Sequence, residues 1–193
     1  MAKLSDLIIS KVRVKLLKIF MANAKGMFYV RELTRMTKEE INAVRRELEN
    51  LLRIGLLKSE KRGNRLYYSP KTSYYLYPEL VNLVTKSTGA GKIVAKNRSK
   101  LGFVKYLFIT QKLARGLERN SDDVDLLIIG KVIMPQVAVL SKSLEKTFNT
   151  EINYSCMTED EFSYRKNHQD PFITKVLIQP KVMLIGDEIT LQS

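Results

Sequence analysis

The sequence predicts an α+β protein of two domains, from three observations. Helical apolar periodicity and one candidate hairpin fill the first half, short apolar strands and a helix fill the second half, and most of the positive charge belongs to the first half. Residues 1–88 hold 18 Lys and Arg against 8 Asp and Glu, a net charge of +10, whereas residues 89–193 hold 15 against 12, a net of +3. This asymmetry predicts a polyanion-binding domain over 1–88 and a more neutral domain with a mixed sheet over 89–193.

The composition is that of a core-forming chain without a membrane span. Hydrophobic residues make up 45% and charged residues 27%, which are ordinary values for a globular protein. No apolar run approaches the ~18 residues of a spanning helix, and charges interrupt the apolar pattern at the start of the chain. We therefore expect a cytoplasmic protein with no membrane partner. One cysteine, Cys156, and one histidine, His168, exclude an internal disulfide and a Cys/His zinc site, and both are expected to have only packing or surface roles.

Three helices are predicted in the first part of the chain. An apolar stripe of helical period predicts the first over 7–21. After a turn at 24–26, the segment YVRELTRM predicts a short helix with three inward side chains, Val30, Leu33 and Met36. The pattern Thr37-Lys38-Glu39-Glu40 has the form of a capping box, so the next helix is expected from about Lys38 to about Arg53. Its predicted buried side chains are Ile41, Val44, Leu48, Leu51 and Leu52.

A basic hairpin is predicted after the capped helix, which Gly55 ends. The strand-like flanks of LLKSEKRGNRLYYS surround Arg62-Gly63-Asn64, and glycine and asparagine suit the positive φ angles of a tight turn. Helix, short helix, capped helix and hairpin is the order of a winged helix-turn-helix, in which the capped helix lies in the major groove and the hairpin contacts phosphates. This order predicts double-stranded DNA as the partner. A homodimer is expected because winged-helix proteins often bind two half-sites.

The stretch FYVRELTRMTKEEINAVRRELENLLRIGLLKSEKRGNRLYYS resembles the winged-helix domains of prokaryotic transcriptional regulators of the ArsR-like kind. The metal-sensing cysteines of ArsR proteins have no counterpart in this stretch. The resemblance therefore implies DNA binding in transcription regulation and does not imply metal sensing.

The predicted DNA contacts fall into two groups. Lys38, Asn42 and Arg45 lie on the first two turns of the capped helix and are expected to reach base edges, for which Asn and Arg have forked donors. Arg46 is about 100° further round the helix and is expected to contact a phosphate. Further phosphate contacts are expected from Arg31, Arg35, Lys61, Arg62 and Arg65. Any one of these residues also fits a solvated surface charge, and it is their clustering that favours DNA.

A junction is predicted between the two halves. Pro78 is expected to open a short helix, and the tyrosines before it, Tyr74, Tyr75 and Tyr77, are expected to pack against a domain rather than to stack on bases. The five small residues 87–91 are expected to form a turn or hinge. A helix follows, with basic residues on its polar side: Lys92, Lys96, Arg98 and Lys100.

The second half predicts an α/β unit with a pair of aspartates beside one strand. Strands are expected at 106–110, 124–129 and 152–157, with a helix over about 135–148. Asp123 and Asp125 are expected to project from the same strand face, where two carboxylates suit Mg²⁺ beside a nucleotide. By itself, a pair of aspartates at this spacing is a weak signal because it is common by chance.

The segment QKLARGLERNSDDVDLLIIG resembles the small nucleotidyltransferases of the DNA polymerase β superfamily. Their motif is Gly-Ser, two residues, Arg-Gly, and then two aspartates separated by one residue before an apolar strand. Arg115 and Gly116 match the Arg-Gly, and Asp123 and Asp125 match the metal-binding pair. The tail DPFITKVLIQPKVMLIGDE resembles that of proteins that join a winged helix to this domain, most of which are described as regulators or compared with antitoxins.

The chain departs from that motif at two places. Gln111 and Lys112 replace Gly-Ser, so side chains crowd the position where glycine lets a triphosphate approach the backbone, although the Lys112 ammonium still attracts phosphate. Asn153 stands in the expected position of the third carboxylate and is a weaker metal ligand, with Glu151 as the alternative. These departures favour a catalytically silent domain over nucleotide or metal binding without turnover, and over transferase activity.

Three functional hypotheses follow. The first is a sequence-specific transcriptional regulator whose nucleotidyltransferase-like domain is inactive and serves sensing or assembly. The second is an enzyme that transfers a nucleotidyl group to a protein or small molecule, against which the replaced Gly-Ser argues. The third is an antitoxin-like protein that binds a toxin and autoregulates transcription. The first requires no cofactor, and Mg²⁺ and a nucleotide remain candidate ligands, the nucleotide at Lys112, Arg115 and Gly116 and the metal at Asp123 and Asp125.

Overall fold

A computed structural model describes residues 4–120 and 123–193. The chain divides into two compact units, one comprising Met1–Thr88 with Arg115–Leu117 and the other Gly89–Ala114 with Glu118–Ser193. Each unit contains helices and one sheet, which confirms the predicted α+β class. Among the described residues, no helix combines the length and the apolarity that a membrane crossing requires.

The first unit packs helices against a small antiparallel sheet. Its helices are α1 (Leu4–Leu7), α2 (Lys11–Met21), α3 (Val30–Thr37), α4 (Ile41–Arg53) and α5 (Tyr77–Ser87). Its strands are β1 (Phe28–Tyr29), β2 (Leu57–Arg62) and β3 (Arg65–Pro70), in the order β1-β3-β2. The core is formed by apolar side chains that helical periodicity places on one side of each helix, among them Leu16, Phe20, Leu33, Val44, Leu48 and Leu51.

The predicted hairpin is confirmed. Arg62 pairs with Arg65 across β2 and β3, so Gly63 and Asn64 form a two-residue turn. Gly63 has a φ of +57°, the conformation that such turns require and that glycine adopts without strain. The short strand β1 adds to β3 by pairing Tyr29 with Tyr67, and the sequence did not predict it.

The predicted first helix over 7–21 is wrong at its start. Ser10 interrupts it, because the Ser10 hydroxyl accepts a hydrogen bond from the Arg13 N–H and caps α2. Two apolar residues assigned to the inward stripe are consequently outside: Leu7 is 69% exposed and Ile9 is fully exposed.

The predicted capping box is also wrong. Thr37 is the last residue of α3, and its hydroxyl donates to the Leu33 carbonyl. Lys38 follows in the left-handed conformation, with a φ of +54°, and Glu40 caps α4 by accepting from the Ala43 N–H. The helix therefore begins three residues after Lys38, and it ends at Arg53 as predicted. Met36, predicted to point inward, is 49% exposed.

The second unit is built on a mixed sheet, as predicted, and this sheet has four strands rather than the three expected. Its helices are α6 (Gly89–Asn97), α7 (Gln111–Ala114), α8 (Met134–Phe148), α9 (Glu159–Asn167), α10 (Pro171–Ile178) and α11 (Glu188–Gln192). Its strands are β4 (Gly102–Thr110), β5 (Leu126–Val132), β6 (Tyr154–Met157) and β7 (Lys181–Ile185). The order is β6-β5-β4-β7, with β5 and β6 parallel and the other pairs antiparallel.

Both faces of this sheet are buried. Tyr106, Phe108, Leu127 and Ile129 form one core cluster with residues of α9, α10 and α11. The alternate residues of β4 and β5 point to the other face, and Leu107, Ile109 and Ile128 among them are fully buried. The α8 helix connects the parallel strands β5 and β6, as a parallel crossover requires.

The predicted turn or hinge at 87–91 is shorter than expected. The α5 helix ends at Ser87 and α6 begins at Gly89, so Thr88 alone lies outside a helix, and Ala90 and Gly91 are buried. The α5 helix carries Pro78 at its first turn, as predicted. Of the tyrosines before it, Tyr77 is buried, whereas Tyr75 is 77% exposed and does not pack as predicted.

Candidate nucleic-acid interface and acidic pair

The nine predicted DNA contacts are all exposed, and they lie on four parts of the first unit. Arg31 and Arg35 lie on α3, and Lys61, Arg62 and Arg65 lie on the hairpin. Lys38 lies in the turn before α4 rather than on the helix, so it does not share the helix face of the other predicted base contacts. Those on α4 itself are Asn42, Arg45 and Arg46.

The α4 helix separates a buried side from a polar side. Val44, Leu48 and Leu51 lie on the buried side. Asn42 and Arg46, four residues apart, lie on the opposite side, and Arg45 lies between the two sides because each residue turns the helix by about 100°. The chain therefore presents amide and guanidinium donors along an exposed helix face.

A groove of about 740 Å³ lies between α3, the start of α4 and the tip of the hairpin. Three of its lining residues are arginines, namely Arg31, Arg35 and Arg65, and three are apolar, namely Val30, Ile41 and Leu66. We call it the arginine groove. The groove is open to solvent, and none of its described lining residues is acidic. It therefore suits a polyanion that also carries apolar groups.

Tyr29 lies at the centre of the contacts that hold two of these arginines. The Arg65 guanidinium lies over the Tyr29 ring, 4.8 Å from its centre, and Arg35 Nη2 donates to the Tyr29 hydroxyl at 3.2 Å. The Tyr67 ring meets the Tyr29 ring edge to face, with centroids 5.7 Å apart. Sequence reasoning missed Tyr29, because only the β1 to β3 pairing brings its ring beside Arg65.

Arg62 has an acidic neighbour on its own strand. Its guanidinium donates to both carboxylate oxygens of Glu60, at 2.9 and 3.3 Å. This hydrogen bond lowers the pKa of Glu60 and raises the pKa of Arg62. A phosphate bound at Arg62 would therefore compete with Glu60. In the arginine groove a phosphate meets no such competitor among the described lining residues.

Two basic residues of α2 have structural partners instead. Arg13 Nε donates to the buried Glu47 of α4 at 2.9 Å, and Ser10 donates to the same carboxylate at 2.8 Å. Burial raises the pKa of Glu47, but these hydrogen bonds outweigh it and leave the pKa below its usual value. Lys15 donates to the Thr37 carbonyl and to Glu39, so it fixes the turn between α3 and α4.

The polar residues of the second unit meet at one edge of its sheet. Because β4 runs antiparallel to β5, the end of β4 lies beside the start of β5, and the parallel strand β6 starts at the same edge. Lys112 follows β4, Asp123 and Asp125 precede β5, and Asn153 precedes β6. The strand topology therefore brings together residues that are far apart in the sequence.

Asp123 is buried between two lysines. Its side chain is 4% exposed, Lys112 Nζ lies 3.0 Å from Oδ2, and Lys175 Nζ lies 3.0 Å from Oδ1. The hydrogen bonds from Lys112 and then Lys175 lower the pKa of Asp123 to about 2. The Asn120 N–H also donates to Oδ2. The carboxylate is therefore ionised at neutral pH, with cations of the chain itself on both oxygens.

Asp125 is held by a different set of partners. Its side chain is 1% exposed and pairs with Arg119 through Oδ2, which also accepts from the Asn153 N–H at 3.1 Å. Arg119 in addition donates to the Thr150 hydroxyl and the Glu151 carbonyl. Oδ1 of Asp125 is buried and has no hydrogen-bond partner among the described residues. The two aspartates thus have separate ion-pair partners, Lys112 and Lys175 for Asp123 and Arg119 for Asp125.

This donor set does not fit a resident Mg²⁺ ion. Lys112, Lys175 and Arg119 bring three positive charges to two carboxylates, whereas a magnesium site needs several oxygen ligands with free lone pairs. Within residues 4–120 and 123–193, no group of three His, Cys, Asp or Glu side chains is placed to hold a metal.

The other predicted site residues lie in several places. Gln111 is buried in α7, and the Asn153 amide donates to the Asp123 carbonyl, so Asn153 does reach the acidic pair. Arg115 and Gly116 make contacts within the first unit: the Arg115 carbonyl accepts from the Ala24 N–H at 2.9 Å, and the Arg115 guanidinium lies 5.0 Å from the centre of the Tyr77 ring. Of the three predicted nucleotide contacts, Lys112 is the one that contacts an aspartate of the pair.

Cys156 and His168 have surroundings that agree with packing roles. Burial raises the pKa of the Cys156 thiol to about 11, so the thiol is protonated at neutral pH and is a poor nucleophile. The His168 ring stacks on Tyr164 with centroids 4.1 Å apart, and its Nδ1 lies 2.8 Å from the Tyr164 carbonyl oxygen.

No family model matches this chain, and no curated protein matches it. Among solved structures, the chain is similar to the crystal structure of human N-acetylserotonin methyltransferase in complex with SAM, with 16% sequence identity and a TM-score of 0.31. The similarity covers 50% of this chain and 32% of the methyltransferase chain. A likeness at that score carries no conclusion about this chain.

Proposed function

We propose that this chain is a sequence-specific regulator of transcription that binds double-stranded DNA through its first unit, as a winged helix-turn-helix. In this proposal α4 enters the major groove, and the hairpin of β2 and β3 lies along the neighbouring backbone. The single observation that carries the proposal is the arginine groove, which lies beside the start of α4, the helix that presents Asn42 and Arg45.

The chemistry of this surface supports DNA over a protein partner. Arg45 and Asn42 are exposed on α4, and their forked donors suit guanine and adenine edges in the major groove. Arg31, Arg35 and Arg65 gather within one groove nearby, where they suit phosphates. Donors suited to base edges on α4 and donors suited to phosphates on α3 and the hairpin are then available on neighbouring elements of the first unit.

We propose further that the second unit is a nucleotidyltransferase-like domain without catalytic activity, which serves sensing or assembly in a homodimeric regulator. The ion pairs at Asp123 and Asp125 support this proposal, since they occupy the carboxylates that a transferase uses for metal. They count against the alternative of an active transferase. Antitoxin-like binding of a toxin has no specific contact in its favour.

Sequencing the genomic DNA bound to the protein tests the proposed function directly. We expect enrichment of one recurring sequence, and its loss for the Arg45→Ala variant. Arg53→Ala is the matched control, because Arg53 is an exposed arginine at the other end of the same helix, bonded to Asn50. Even coverage of the genome by the wild-type protein would overturn the proposal of sequence-specific binding.

A further inference from the structure

The register of the first sheet places Tyr29 between two arginines. Tyr29 pairs with Tyr67, and Arg65 lies two residues before Tyr67 on β3, so the side chains of all three point to the same face of the sheet. Tyr29 is also the last residue of β1 and directly precedes α3, which carries Arg35. A residue in this position contacts the hairpin and the helix at once.

Two arginines face each other across the hairpin, and each of them contacts a different partner. Arg62 and Arg65 are directly opposed across β2 and β3, and like charges in that position repel. Each arginine turns to a different partner, Arg62 to Glu60 and Arg65 to the Tyr29 ring. Because the ring attracts a cation without neutralising it, Arg65 keeps its full charge for a ligand, whereas Arg62 is paired with a carboxylate.

Tyr29 fixes Arg35 by a second and separable contact. The Arg35 guanidinium donates to the hydroxyl, at the opposite end of the side chain from the backbone, while Arg65 lies over the ring. Both cations therefore have a partner in Tyr29 in the absence of any ligand, although bringing the two charges together is unfavourable. Ordering a flexible side chain in advance removes part of the entropy cost of binding.

We propose that Tyr29 is a positioning residue that sets Arg35 and Arg65 to bind the sugar–phosphate backbone of one strand of double-stranded DNA in the arginine groove. This inference rests on the proposed function and adds a residue that itself need not touch the DNA. The arginines meet phosphates, and Val30, Ile41 and Leu66 give the groove apolar walls against which deoxyribose packs.

The test compares Tyr29→Leu with Arg65→Gln in binding a mixed-sequence DNA duplex over a range of salt concentrations, by fluorescence anisotropy. Arg65→Gln removes a phosphate contact, so the slope of log affinity against log salt should fall by about one. Tyr29→Leu leaves both charges but frees them, so affinity should fall roughly tenfold with the slope retained. Tyr75→Leu, at an exposed tyrosine of the same unit, is the matched control and should bind as the wild type does.

A double-mutant cycle separates positioning from a general effect on the fold. Tyr29→Phe keeps the ring and removes the hydroxyl that binds Arg35. The loss of DNA affinity that this substitution causes should therefore disappear when Arg35 is already replaced by Gln, and should persist when Arg65 is replaced by Gln. Wild-type affinity of a folded Tyr29→Leu variant, or additive losses for Tyr29→Phe and Arg35→Gln, would overturn the role of Tyr29. Failure of the wild-type protein to bind the duplex would instead refute the proposed function, and this inference with it.

Discussion

The Lys112 ammonium lies 3.0 Å from Oδ2 of Asp123, so the lysine that would replace a serine under the proposed nucleotidyltransferase resemblance bonds one aspartate of the pair. Lys175 occupies the other oxygen of the same carboxylate. Two exposed lysines thus stabilise one buried carboxylate. The two aspartates are held by cations of the chain itself, and the contribution of these ion pairs to the free energy of unfolding can be measured.

The stability of the second unit should depend on pH through Asp123. Its pKa is lowered from 3.8 to about 2 in the folded chain, so its contribution to stability is present above about pH 4 and is lost as pH falls towards about 2. We expect Asp123→Asn to lower the free energy of unfolding by about 1 kcal/mol at neutral pH. Urea denaturation at successive pH values should show the gap between wild type and variant narrowing below about pH 4. A gap that stays constant down to acidic pH would contradict this.

Arg119→Ala should destabilise the second unit strongly. The substitution leaves the Asp125 carboxylate buried at 1% exposure without its cation, and such a loss costs about 3–5 kcal/mol. Adding Asp125→Asn removes the unpaired charge, so the double variant should be more stable than Arg119→Ala alone. Lys112→Ala is the control, because Lys112 is 47% exposed and its loss should cost about 1 kcal/mol or less. Equal losses in the free energy of unfolding for Arg119→Ala and Lys112→Ala, measured by chemical denaturation, would contradict the claim that burial of the Arg119–Asp125 pair makes its loss more costly.

If the second unit is silent as proposed, removing the cations paired with Asp123 should create an affinity for divalent metal. We expect no heat from the wild type on titration with Mg²⁺ and ATP in a calorimeter, since both oxygens of Asp123 are occupied. The Lys112→Gln, Lys175→Gln double variant should bind Mg²⁺ or Mn²⁺ measurably, because the buried Asp123 carboxylate then lacks both of its counter-ions. Strong binding by the wild type, or magnesium-dependent nucleotidyl transfer abolished by Asp125→Asn, would overturn the proposal of a silent domain.

Arg45 and Arg46 should differ in what they contribute to DNA binding. Arg45→Ala should weaken binding to the enriched sequence by about 1–3 kcal/mol more than binding to mixed-sequence DNA, as expected when a base contact is lost. Arg46→Ala should weaken both by the same factor and reduce the salt slope by about one. Both residues are exposed and adjacent on α4, so each is the matched control of the other. Parallel losses for the two variants on both DNAs would contradict the assignment of a base contact to Arg45.

Features that depend on residues close in sequence were predictable. The period of apolar residues gave the extent of α4 as far as Arg53, and Gly63-Asn64 gave the hairpin turn, because local backbone preferences decide both. Helix starts were less predictable: Ser10 and Glu40 cap α2 and α4, whereas Thr37 turned its hydroxyl to the preceding helix. Several polar residues near a helix start can accept hydrogen bonds from the same N–H groups, and their spacing alone does not predict which of them caps the helix.

Composition and local pattern were enough to predict the α+β class, the basic first half, and two aspartates beside an apolar strand. The contacts of those aspartates could not be predicted without the folded arrangement of the strands and helices. Lys175 reaches Asp123 from α10, far along the chain, and Tyr29 reaches Arg65 across the sheet. Charge pairs and ring contacts of this kind act over a few ångströms between residues distant in sequence, so strand order and register must be known before they can be assigned.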